Sequence, residues 1–262
     1  MKKLPLLAMT LAAFLSTARS EVTMSVYEYK IGGKPYEGFL AVPADDGKKH
    51  PGVLVAHDWM GCGAFSQEKA KYLAGLGYVA LAVDMYGKGI RAKNTDEAAK
   101  LAGGFYNDYS QFRTRITAAL DELKKQPQVD TARLGAIGFC FGGTTVLELA
   151  RSGADVLGVV SFHGILKSRA PEDAKGIHCK VLVLHGNLDP MVPPAQVASF
   201  MEEMNAAKAS YKFIGYPNAV HAFTNPAAGS DMSKPVAYNE EVSRQSFAEM
   251  EKFFQQLFQN AP

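Results

Sequence analysis

"LGAIGFCFGGTTVLELA", residues 134–150, starts as an apolar stretch with the character of a buried strand and ends as a helix. Where the two meet lies Gly138-Phe139-Cys140-Phe141-Gly142-Gly143. So abrupt a reversal forces its central residue, Cys140, into an unfavourable backbone conformation and lifts its side chain above the sheet. Neighbours two positions away must then be small, which Gly138 and Gly142 satisfy, and Gly143 lets the helix begin close to the sheet. A thiol at a helix N-terminus faces unpaired N–H groups and the positive dipole end, which favours the thiolate. The amide of Phe141 points into the same space and is a candidate donor to an oxyanion. Three fixed positions in a chain with 24 glycines are a weak signal alone, and a buried cysteine beside packing glycines is the competing reading.

The flanking sequence repeats the strand-then-helix texture. "VTMSVYEYKI" and "KPYEGFLAVP" flank Gly32-Gly33 and predict an antiparallel hairpin. Six apolar runs follow, "PGVLVAH", "YVALAVDMYG", "RLGAIGF", "VLGVVSFHG", "KVLVLHG" and "SYKFIGYP", each of which reads as buried on both faces. Helical periodicity is expected over Phe65–Leu76, Thr95–Lys125, Thr144–Arg151, Ala195–Ala207 and Glu240–Phe258. Alternation of this kind predicts one α/β domain over residues 21–262, with a mostly parallel eight-stranded sheet and helices on both faces.

In such sheets, sites form beyond the carboxyl ends of strands. His57-Asp58, Cys140, His163 and His185 through Asp189 all fall there, and His221 follows one strand later in "NAVHAF". His50, His178 and Cys179 precede strands and belong to the opposite edge. Asp189, in "LHGNLDPMVP", is placed to accept a hydrogen bond from an imidazole of the next loop, although an Asp-Pro turn former is the plainer reading. Cys140, Asp189 and His221 give the order nucleophile, acid, histidine, each after its own strand, which is the chain order of the α/β-hydrolase triad. In "VLVAHDWMGC" the amide of Trp59 is the candidate second oxyanion donor, Asp58 is placed to touch the thiol or shape the pocket, and His57 reads as a turn-capping residue.

Composition narrows the function. The 262 residues are 47% hydrophobic and 21% charged, enough for a substantial core. A formal charge of +2, without a run of Lys or Arg, gives no electrostatic case for nucleic acid. Residues 1–20 read as a signal peptide, with Lys2 and Lys3 before an apolar "LPLLAMTLAAFL" and small Ala18 and Ser20 before Glu21. That apolar run is too short to span a bilayer, so a periplasmic or secreted protein, free of the membrane after cleavage, is expected. Three cysteines cannot all pair within one chain in an oxidising compartment, so at least one thiol stays free or pairs elsewhere.

On "GFCFGG", "HGNLDPMVP", "HAF" and "VDMYG" the chain resembles the dienelactone hydrolase family over nearly its whole mature length. The resemblance implies an α/β-hydrolase fold without a large lid and a Cys140-His221-Asp189 triad. It also implies oxyanion amides at Trp59 and Phe141, and neither cofactor nor metal. A family glutamate that holds the resting thiol matches Asp58, one methylene shorter. Two family arginines that clamp a substrate carboxylate match Lys88 and Asn225; lysine lacks the bidentate fork and asparagine lacks the charge. The expected activity is hydrolysis of a small carboxylic ester or lactone by a monomer, through a thioester on Cys140. Competing readings are a noncatalytic binder on the same fold, a thiol-redox protein using Cys62 and Cys140, and a metal site built from His57, His163, His185 and His221.

Overall fold

The computed structural model describes residues 22–260, so the expected signal peptide lies outside the described residues. The hairpin β1 (Thr23–Ile31) and β2 (Lys34–Val42) forms as expected, antiparallel, with Ile31 opposite Lys34. After it come β3 (His50–Ala56), α1 (Ala64–Gly75), β4 (Val79–Val83), α2 (Thr95–Asn107), α3 (Ser110–Lys124), β5 (Val129–Phe139) and α4 (Phe141–Arg151). The chain then runs through β6 (Gly158–Phe162), β7 (Lys180–Gly186), α5 (Pro194–Ala206), β8 (Tyr211–Tyr216) and α6 (Glu240–Gln259). The strands make one eight-stranded sheet in the order β1-β2-β4-β3-β5-β6-β7-β8, antiparallel as far as the β2–β4 pair and parallel from β4 to β8.

Both faces of the sheet are covered, which is why the central strands read as unbroken apolar runs. Along β3, Leu54 and Ala56 point into a core with Phe105, Phe112, Ile116, Val146 and Phe200 of α2 to α5. Val53 and Val55 point the other way, toward Ala70 and Leu73 of α1 and Met250, Phe254 and Phe258 of α6. Helix α6 starts at Asn239, whose side chain accepts the Val242 N–H at 3.1 Å, with Glu240 and Glu241 in the first turn. It presses onto the sheet where β5 and β6 carry glycines: a Cβ on Gly135 would sit 2.6 Å from the Phe254 ring, and one on Gly158 2.5 Å from Leu257. Full burial of the Phe254 ring stabilises the fold by roughly 1.5–3 kcal/mol.

One expected element divides in two. The periodic stretch 95–125 breaks at Asp108, whose backbone turns extended (φ −134°, ψ 91°). Its carboxylate accepts the Ser110 N–H at 3.1 Å and the Ser110 hydroxyl at 2.6 Å. A side chain that satisfies the next helix's first donors ends one helix and starts another without disturbing the apolar stripe, which therefore reads as continuous.

Between β6 and β7 there is one short 3-10 turn, Pro171–Gly176, so no lid domain covers the carboxyl edge there. Helix α4 is fixed at its far end by buried charge: Arg151 grips Glu203 of α5 through Nε and Nη2 at 2.7 and 2.9 Å and Glu148 through Nη1 at 2.9 Å. The near end of that helix is Cys140. No helix among the described residues is long and apolar enough to cross a membrane.

Candidate active site

Cys140 caps α4 with φ 54° and ψ −114°, the left-handed strain anticipated from its neighbours. Such a conformation costs about 1–3 kcal/mol and persists only where the surroundings enforce it. Here they do. A Cβ on Gly138 would lie 1.9 Å from the Gly142 carbonyl oxygen, and a Cβ on Gly142 would lie 2.2 Å from that of Ala56. The turn is thus packed backbone against backbone, and the half-buried Cys140 side chain is raised into a cavity of about 340 Å³.

His221 stands in the loop after β8, anchored by its N–H to Pro235 O at 3.3 Å and by the Ala237 N–H donating to its carbonyl at 3.1 Å. Its Nδ1 meets Asp189 Oδ2 at 2.8 Å, and Asp189 Oδ1 accepts the Met191 N–H at 2.8 Å, so the carboxylate is oriented before it orients the ring. With its Nδ1–H donated to Asp189, the imidazole presents Nε2, which is buried and has no hydrogen-bond partner among the described residues. Burial opposes charge on this ring, but the neighbouring Cys140 and the hydrogen bond to Asp189 outweigh it and push its pKa up to about 10. Cys140, His221 and Asp189 therefore come together, although they are scattered over 140–221 in the chain.

The other expected residues divide. Asp58, Trp59 and Asn225 line the same cavity as Cys140 and His221. Asp58 Oδ1 accepts the Met60 N–H at 2.8 Å, and burial raises its carboxyl above the usual range. Asn225 accepts the Ala227 N–H through Oδ1 at 3.0 Å, which turns its amide nitrogen toward Asp58 Oδ2 at 3.5 Å. Phe141 buries its ring against His57 and Phe105, leaving its amide in the first turn of α4 behind the thiol. Lys88 does not reach the cavity. It is exposed, pairs with Glu28 of β1 at 2.7 Å, and has its backbone N–H on Pro35 O, because the turn after β4 folds toward the hairpin. Among the described residues the lining has no lysine or arginine; beyond Asp58 and the two histidines it is mostly Trp59, Met60, Phe65, Phe139, Met191 and Val236.

His57 has the structural role read from the sequence. Its Nε2 accepts the Met85 N–H at 3.2 Å, its Nδ1 donates to Asp58 O, and burial lowers its pKa to about 4. Cys62 is wholly buried, donates to Ala82 O at 3.5 Å and is pushed up to about 12 by burial, which disfavours it as a redox partner for Cys140. His163 has a larger part than its place after β6 announced: its Nδ1 accepts the Cys140 N–H at 3.1 Å.

The dienelactone hydrolase family model matches residues 36–258. A solved structure named m3DLH is 38% identical and covers 90% of this chain and 98% of its own, with a TM-score of 0.86. A dienelactone hydrolase-like promiscuous phosphotriesterase from metagenomic libraries, P91, is 36% identical over 90% of this chain and 98% of its own, with a TM-score of 0.82. An uncharacterised Caenorhabditis elegans protein, K02A2.1, is 34% identical over 155 residues, 56% of this chain and 95% of its own. Sheet order, glycine turn and full-length similarity lead to one conclusion: the chain belongs to the dienelactone hydrolase family and has its α/β-hydrolase fold.

Proposed function

We propose that the protein hydrolyses small, uncharged carboxylic esters or lactones through a thioester on Cys140. The observation that carries this reading is His221: its Nδ1 is committed to Asp189 at 2.8 Å, while its buried Nε2 is left without a partner on the side of the thiol. The Cys140 thiolate attacks the acyl carbon, and the carbonyl electron pair moves onto oxygen. The amides of Trp59 and Phe141 receive that oxyanion, each good donor contributing roughly 3–4 kcal/mol. Collapse expels the alkoxide, which takes its proton from the His221 imidazolium. The neutral imidazole then removes a proton from water as the water attacks the thioester. Loss of the thiolate releases the acid and regenerates the pair.

Substrate charge follows from the lining. A cavity lined by Asp58 and Asn225 and, among the described residues, by no lysine or arginine offers no basic clamp for a carboxylate, whereas Trp59, Phe65, Phe139 and Met191 suit an apolar acyl or leaving group. Neutral lactones are therefore expected to be cleaved at least as well as anionic ones. An uncharged phosphotriester, the class for which P91 is named, meets the same requirement and is the second substrate class to try. Export of the mature protein, directed by residues 1–20, is part of this reading and fits a site that takes small substrates without a cofactor.

The test is a screen of neutral and anionic esters, lactones and thioesters, with one neutral phosphotriester, against purified protein and its Cys140→Ala variant. Turnover of neutral esters that vanishes in Cys140→Ala is the expected result. Retained turnover in the variant removes the thiol from the mechanism, and a strong preference for anionic lactones removes the substrate assignment.

A further inference from the structure

His163 follows β6 with φ +40°, a second left-handed non-glycine residue at the carboxyl edge beside Cys140. Strain of that kind needs a reason, and its ring supplies one. Nδ1 accepts the Cys140 N–H at 3.1 Å, sharing it with Phe162 O at 3.0 Å. An accepting Nδ1 puts the ring proton on Nε2, which donates to Thr224 Oγ1 at 2.8 Å. Thr224 is three residues beyond His221, with Ala222 between them at φ +58°. The ring also meets His221 edge-on, centroids 5.2 Å apart, and Phe223 at 5.0 Å. His163 and Thr224 are 2% and 1% exposed, so water does not replace either bond. A leucine would fill the same space, but would leave a buried hydroxyl unpaired and the Cys140 amide on one acceptor.

We propose that His163 is a positioning residue that holds the nucleophile turn with one ring nitrogen and the His221 loop with the other. It keeps thiol and imidazole in register through a bond to Thr224, 61 residues further along the chain. The proposal rests on the thiol–imidazole reading of the site given above. A misplacement of about 1 Å caused by a change away from the reacting atoms can cost about 100-fold in rate, which sets the scale of the effect.

Four proteins test it: wild type, Thr224→Val, His163→Asn and His163→Leu. Each is measured for kcat and KM on p-nitrophenyl acetate, for the rate of Cys140 alkylation by iodoacetamide, and for Tm. Thr224→Val keeps the shape and breaks only the bond to the His221 loop; kcat falls about tenfold with KM within about twofold. His163→Asn keeps an acceptor at the Nδ1 position and behaves like Thr224→Val. His163→Leu loses both bonds and falls about 100-fold in kcat, again with KM little changed. Alkylation slows in the same order. Folded Thr224→Val and His163→Asn with wild-type kcat and alkylation overturn the proposal, whether or not His163→Leu folds, as does a loss confined to KM. Absence of ester turnover in wild type ends the hydrolase reading instead, and the alkylation series then still decides whether His163 positions the thiol.

Discussion

The loops after β3 and β8 each carry a buried histidine beside an aspartate, and they use it in opposite ways. In the β3 loop both ring nitrogens of His57 are consumed by backbone, Nε2 by the Met85 N–H and Nδ1 by Asp58 O, and Asp58 turns to the Met60 N–H instead. In the β8 loop His221 spends Nδ1 on a carboxylate and leaves Nε2 open. Burial is the same, but the partner differs: burial lowers the pKa of His57, which has only backbone partners, to about 4, whereas beside the Asp189 carboxylate and Cys140 that of His221 is raised to about 10. The ring with both nitrogens engaged ties backbone to backbone, and the one with Nε2 free is the ring to which the proposed chemistry is assigned.

The largest expected effect breaks or keeps this contrast outright. His221→Ala is expected to lower kcat by roughly 10⁴–10⁶-fold in a protein that still folds, since residues that act as a unit with a nucleophile carry losses of that size. His57→Gln is expected to keep kcat within about tenfold of wild type while costing roughly 1–3 kcal/mol of stability for disturbed buried hydrogen bonds. Paired kinetics and urea melts of the two variants check it; a reversed pattern dissolves the distinction.

Asp189→Asn comes next. An asparagine amide at that position donates to Nδ1 and so moves the imidazole proton to Nε2, where it cannot accept from water; kcat is expected to fall by about 10³–10⁴-fold with the fold intact. A loss of tenfold or less, measured at saturating ester, would mean that Asp189 acts only as a turn former.

A smaller effect sharpens the electrostatic half of the contrast. Cys140→Ser removes the thiolate that raises His221, so the His221 imidazole signal in an NMR titration is expected to move down from about 10 toward the ordinary 6.5. The His57 signal is expected to remain that of a neutral ring at neutral pH in both proteins. An unmoved His221 titration contradicts the pairing.

The smallest effect concerns stability against pH. His57 is held at about 4 in the fold against 6.5 outside it, so its contribution is present above pH 6.5 and is lost as the pH falls toward 4. His57→Gln is expected to flatten the decline of Tm across that window. An unchanged slope would show that the proton taken up on acid unfolding belongs to other groups.

How much of this was readable without coordinates depended on whether the physical requirement was local. The glycines around Cys140 were legible because the close packing of Gly138 on Gly142 is imposed by a turn of six residues. The apolar runs of β3, β4, β6 and β7 were legible because burial on both faces leaves few polar positions to break them, whereas β8, read the same way, is an edge strand that is only partly buried and carries an exposed Lys212. Asp189 and His221 were legible because a parallel sheet puts every strand's carboxyl end on one edge. What failed was side-chain direction and breaks inside a periodic stripe. Lys88 was matched to a clamp by position, yet its turn carries it to Glu28. Asp108 divides a helix whose apolar spacing continues on both sides. The His163–Thr224 bond had no local signature at all, since each is unremarkable in its own segment.

The proposed mechanism requires a covalent bond between the substrate acyl group and Cys140, and that bond can be seen directly. Acid-quenching the protein during turnover of p-nitrophenyl acetate and mapping its peptides by mass spectrometry is expected to show acetyl on the peptide carrying Cys140, more of it in Asp189→Asn, where deacylation lags. Turnover with no acyl group on Cys140 in either protein, or with the group on another side chain, would contradict it.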